Sequence, residues 1–146
     1  MRLARSVPVV ALSLALSNVV ACSGDDGADP AFRRAAGFYV LTHVNDAAPP
    51  VPLQTPQGTT FITRGTMQLH EDGRFAMGIE QNFAAGTRPA AWLLVNGRYA
   101  LQGTDGAMTV TVDQPAQGAS GVLAATLSDK QATVPMLGAR LRFARP

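Results

Sequence analysis

Apolar side chains recur at every second position through one short run after another, and this period of two limits the fold more than any other feature of the chain. In 37–44, GFYVLTHV, Tyr39 and Leu41 share one face while Val40 and Thr42 share the other. Met67 and Leu69 repeat the pattern, then Phe75, Met77 and Ile79, then Tyr99 and Leu101. Met108, Val110 and Val112 follow, then Leu123, Ala125 and Leu127, and finally Leu141 and Phe143. Successive side chains of a strand point to opposite faces, so each run predicts a strand with one buried face. From Gly37 onward no stretch carries a helical apolar stripe with caps.

Turn formers separate the runs. Asn45 to Pro50 ends the first, because a double proline blocks strand extension. Val51-Pro52-Leu53 predicts a short edge segment, and 59–64 a strand, with a bulge or bend at Gly65 before alternation resumes at Thr66. Glu71-Asp72-Gly73-Arg74 predicts a tight hairpin turn, since glycine takes positive φ there without steric cost. Asn96-Gly97 reads either as a two-residue turn or as a bulge in one long bent strand. Gly103 to Gly106 and Ser128 to Lys130 predict further turns, 82–89 and 114–120 predict loops, and Gln131 to Val134 a short strand. The expected fold is all-β: a small antiparallel up-and-down barrel of about eight strands over 37–146. Closure is favoured over an open sheet because it removes the exposed edges.

Ahead of the barrel stands MRLARSVPVVALSLALSNVVAC. Arg2 and Arg5 form a positive head, Val7 to Leu16 an apolar run, and Val19-Val20-Ala21 lead to Cys22, the chain's single cysteine. The run is too short for a membrane span and has the layout of an export leader. Its end is similar to the bacterial lipoprotein signal, in which a short apolar tripeptide with a small last residue precedes a cysteine. That resemblance implies cleavage after Ala21, a diacylglyceryl thioether on Cys22 and acylation of the new amino group. Residues 1–21 are then the signal peptide. Ser23, where aspartate would signal inner-membrane retention, implies export to the outer membrane, facing the periplasm.

Loss of the leader alters the charge balance. The full chain has 12 Lys and Arg against 10 Asp and Glu, and without Arg2 and Arg5 the mature charge is near zero. The remaining arginines are scattered, without the basic stripe that nucleic-acid binding requires. With no second cysteine, no intramolecular disulfide forms, so packing must stabilise one domain. Residues 22–36 read as the lipidated cysteine and a flexible tether. Ser23 to Pro30, SGDDGADP, buries too little apolar surface to offset its ordering entropy. Its aspartates lack the spacing and closing glutamate of a calcium loop. Ala31 to Ala36 reads as one helical turn, or a cap on the barrel end with Phe32 as its apolar contact.

Gly37, Tyr39, Leu41, Val44 and Asn45, then Leu69, Asp72, Gly73 and Phe75, then Gly97, Tyr99, Asp105 and Gly106, then Leu141, Phe143 and Arg145 form a further pattern. In it the barrel domain resembles the small lipocalin-like β-barrel lipoproteins of bacteria. The resemblance is carried by fold residues. It implies a lipocalin-like barrel with binding capacity and brings no catalytic set.

Chemistry is sparse. The two histidines, His43 and His70, show no metal-ligand spacing, so no metal and no cofactor is expected. No Gly-x-Ser-x-Gly elbow surrounds Ser120 or Ser128, and Glu71, Asp72 and Glu80 flank a turn that explains them. The expectation is a non-enzymatic envelope protein attached to a membrane through the lipid on Cys22. One version holds a small apolar ligand in or at the mouth of the barrel, near Trp92, Tyr99 and Met108. The other binds an envelope protein or a protease, in the manner of an inhibitor, or serves structurally, with Phe83 and Arg88 in the 82–89 loop and the 114–120 loop as contacts and Phe83 and Trp92 as aromatic anchors.

Overall fold

The computed structural model describes residues 29–56, 58–83, 89–102, 106–113, 121–128 and 130–146. The leader 1–21, Cys22, Arg88, Asp105 and the loop 114–120 lie outside the described residues. Among the described residues no helix is long and apolar enough to cross a membrane.

The elements run α1 (Pro30–Ala35), β1 (Gly37–Val44), β2 (Val51–Thr55), β3 (Gly58–Leu69), β4 (Arg74–Phe83) and β5 (Ala91–Gln102), then β6 (Ala107–Val112), β7 (Val122–Leu127), β8 (Gln131–Met136) and β9 (Ala139–Ala144). From β3 to β9 each strand pairs antiparallel with the next. β9 then pairs with β1 and β1 with β3, which closes an up-and-down barrel of eight strands. β2 is a ninth strand, added outside the closure on the first half of β3.

Inward positions are those the alternation predicts. Tyr39, Leu41, Met67, Leu69, Phe75, Met77, Ile79, Tyr99, Met108, Val110, Ala125, Leu141 and Phe143 are buried in one cluster. Asn82 and Phe83, expected in a loop, end β4, and the runs also differ from expectation near Gly65, Gly97 and Pro135. β3 does not break at Gly65; it runs through it, and the register shift falls between Ile62 and Arg64. Gly65 answers a close approach, because a Cβ there would stand 2.9 Å from Ile79 Cδ1 and 3.3 Å from Leu41 Cβ. β5 likewise runs straight through Asn96-Gly97 without turn or register shift. A Cβ on Gly97 would overlap the Thr111 carbonyl of β6. β8 extends through Pro135 to Met136. Its ladder with β7 covers only Ala132 and Thr133, so the missing proline N–H removes no bond on that side.

α1, at the end of the tether segment, is part of the folded body. Asp29 caps it, its carboxylate accepting the Ala31 N–H at 2.8 Å. Phe32 lies against Tyr99 with ring centroids 5.0 Å apart. Gly73, at φ +80°, supplies the positive φ of the β3–β4 turn and leaves room for the Phe32 ring.

Candidate binding surface

The three candidate ligand residues are not brought together. Tyr99 and Met108 point inward and are buried in the core cluster. Trp92, an odd number of positions from Tyr99 along β5, points out of the barrel. Phe83 ends β4, half-buried and opposite Thr60 of β3.

The barrel end beneath α1 is sealed by hydrogen bonds. Tyr39 Oη donates to the Ala35 carbonyl at 2.7 Å. Arg145 Nη2 donates to the carbonyls of Ala35 and Ala36 at 2.8 and 3.0 Å, to that of Arg34, and to Tyr39 Oη at 2.9 Å. The guanidinium also lies over the Tyr39 ring, 5.0 Å from its centroid. One cation thus satisfies the carbonyls that the last turn of a helix leaves unpaired. Tyr99 Oη donates to the His70 carbonyl at 2.8 Å, and burial raises its pKa to about 12.

His70 holds this turn with its backbone, since its carbonyl also accepts the Gly73 N–H at 3.1 Å. His43 Nδ1 is buried without a hydrogen-bond partner. Among the described residues no group of three or more His, Cys, Asp and Glu converges as metal ligands.

The outside of β1, β3, β4 and β5 is different in kind. Cross-strand register aligns Phe38, Gln68, Ala76 and Asn96 in one outward row and Val40, Thr66, Gly78 and Leu94 in the next. A third row holds Arg64, Glu80 and Trp92. Leu94 is 70% exposed, Phe38 50%, Trp92 45% and Val40 38%. Gly78 makes the hollow between them, since a Cβ there would stand 3.2 Å from the Trp92 ring and 3.4 Å from Leu94 Cδ2. Phe38, Trp92, Leu94 and the small residues between them line a shallow concavity of about 240 Å³. Sequence reasoning singled out Trp92 here but missed Phe38, Val40 and Leu94. Their signal was present: apolar residues at strand positions that the alternation sends to solvent.

Charges border this face in pairs. Arg64 binds Glu80 through two bonds, Nε to Oε2 at 2.8 Å and Nη2 to Oε1 at 3.0 Å, and lies 5.2 Å from the Trp92 ring centroid. Thr63 Oγ1 donates to Glu80 Oε2 at 2.7 Å. The Arg64 bonds first, and Thr63 second, hold the Glu80 carboxyl below its ordinary pKa. Arg74 Nε pairs with Asp72 at 2.6 Å. Toward the α1 end a second concavity, of about 400 Å³, adjoins the first at Ala76 and Asn96 and includes His70, Arg74, Arg98 and Asp113.

The outside of β8 and β9 carries more polar groups, while β7 shows Val122, 53% exposed. Thr126, Thr133 and Arg142 form an outward row beside Arg140. Asp46, in the turn after β1, bonds both Arg140 and Arg142. No family model, curated protein or solved structure matches this chain.

Proposed function

We propose that the chain is a lipid-anchored bacterial envelope protein, of the lipocalin-like lipoprotein kind, that catalyses no reaction and binds through the outside of its barrel. The leader with Val19-Val20-Ala21-Cys22 supports the anchor, and Ser23 supports an outer-membrane address facing the periplasm. One observation carries the choice of surface over cup. Of the residues expected to hold a ligand, Tyr99 and Met108 are buried in the core, while Trp92 stands outside with other exposed apolar side chains. An apolar group exposed in a cluster marks an interaction site more often than scattered apolar residues do.

Two mass measurements test this. Intact mass of the exported chain should show cleavage before Cys22 and the added acyl mass; an unmodified thiol would remove the anchor. Native mass spectrometry of the delipidated body should show bare protein. A stoichiometric apolar molecule travelling with it would restore the ligand-cup reading.

A further inference from the structure

We infer that the face formed by Phe38, Val40, Trp92 and Leu94 rests on the lipid leaflet that holds the acyl chains of Cys22, which deepens the anchor reading above and depends on it. Position supplies the first argument. Phe38 stands one residue into β1, directly after α1, and its row adjoins the Leu69–Phe75 pair that precedes the β3–β4 turn at the α1 end. The chain between Cys22 and Asp29 reaches at most about 25 Å when fully extended. The tether therefore keeps the α1 end, with the Phe38 row beside it, within about 25 Å of the leaflet.

Size supplies the second argument. The patch spans β1, β3, β4 and β5 and three outward rows. A stable protein interface needs about 800 Å² of accessible surface from each partner, more than these four part-exposed side chains supply, so this face is small for holding a second copy or a free protein alone. It is sufficient for a surface already held at high effective concentration by a tether.

Chemistry supplies the third. Trp92 has the amphipathic ring that favours the level of lipid headgroups. Arg64 spans the Trp92 ring and the Glu80 carboxylate, and Arg74 is paired with Asp72. Arg64–Glu80 and Arg74–Asp72 border the patch as ion pairs, which suits apolar seating in a leaflet over electrostatic attraction.

Trp92 is the chain's only tryptophan, so its emission reports this face alone. The full mature protein, purified with its lipids, is reconstituted into phosphatidylethanolamine–phosphatidylglycerol vesicles with and without brominated acyl chains. Intact mass is read on the same sample. The expected result is blue-shifted Trp92 emission, quenched at least twofold by the brominated lipid. Phe38→Asp and Leu94→Asp should each relieve most of that quenching, while Leu137→Asp at the far end should leave it unchanged. Acylated protein whose Trp92 is not quenched overturns the seating and leaves the anchor standing. An unmodified Cys22 overturns both. A blue shift that grows with protein concentration, without quenching by the brominated chains, assigns the face to a second copy and also overturns the inference.

Discussion

The strands β1, β3, β4 and β5 carry two apolar faces, and the two are apolar for different reasons. Inward, Tyr39, Met67, Phe75, Met77, Ile79 and Tyr99 are buried against one another, and the hydrophobic effect accounts for them fully. Outward, Phe38, Val40, Trp92 and Leu94 sit in solvent around Gly78, where the fold requires nothing apolar. On β7 to β9 the outward residues are mixed: Thr126, Thr133, Arg140 and Arg142 stand beside a lone exposed Val122 rather than an apolar cluster. Inward identity is set by stability; with outward identity set by contact, as proposed, substitutions on the two faces should separate cleanly.

The largest effect belongs to the interior. Phe143 is fully buried. Phe143→Ala should cost about 3–5 kcal/mol, read as a lower urea midpoint with an unchanged slope. A cost near zero would mean that the interior is not packed as described. Next comes Gly97→Ala, whose new methyl would meet the Thr111 carbonyl, a backbone atom with no rotamer to yield. The cost should be about 1–3 kcal/mol by chemical denaturation, and a neutral result would show that β5 and β6 separate more readily than their ladder implies.

Tyr99→Phe removes the hydroxyl that donates to the His70 carbonyl and should cost about 0.5–1.5 kcal/mol. The same hydroxyl gives the barrel an alkaline limit. With its folded pKa raised to about 12 from an ordinary 10, its contribution is complete below pH about 10 and fades as pH climbs through 12. Stability measured against pH should fall across that window in the native chain, and less steeply in Tyr99→Phe. Equal slopes would show that the hydroxyl is already solvated. Smallest of all, Leu94→Ser should change stability by less than about 0.5 kcal/mol, since the side chain is 70% exposed. A loss of several times that would make the outer face structural and end the comparison.

Most of the interior was legible because alternation is a local signal. Met67 and Leu69, or Phe75, Met77 and Ile79, declare their face without reference to any partner strand. The hairpin at Asp72-Gly73 was legible for the same reason, as was Phe32 as an apolar contact at the barrel end. What escaped was register. Gly65 looked like a bulge or bend, and Gly97 like either a turn or a bulge in one long strand; both lie within continuous strands pressed against neighbours remote in sequence. The sequence groups Trp92, Tyr99 and Met108 as one candidate ligand site in or at the mouth of the barrel. The odd separation of Trp92 and Tyr99 in one unbroken strand sends those two to opposite faces. Phe38, Val40 and Leu94 went unread because an apolar outward residue stands out only once the rows it joins are known.

The claim beneath all of this is that the barrel's interior is occupied by its own side chains and its exterior makes the contacts. Met67, Met77 and Met108 are buried inside it. With methyl-¹³C methionine in the delipidated chain, their signals can be followed while a long-chain fatty acid is added. The account predicts that these three resonances stay in place up to the solubility limit of the lipid. Saturable shifts of Met67, Met77 and Met108 together would mean that the ligand enters the barrel, and would contradict it.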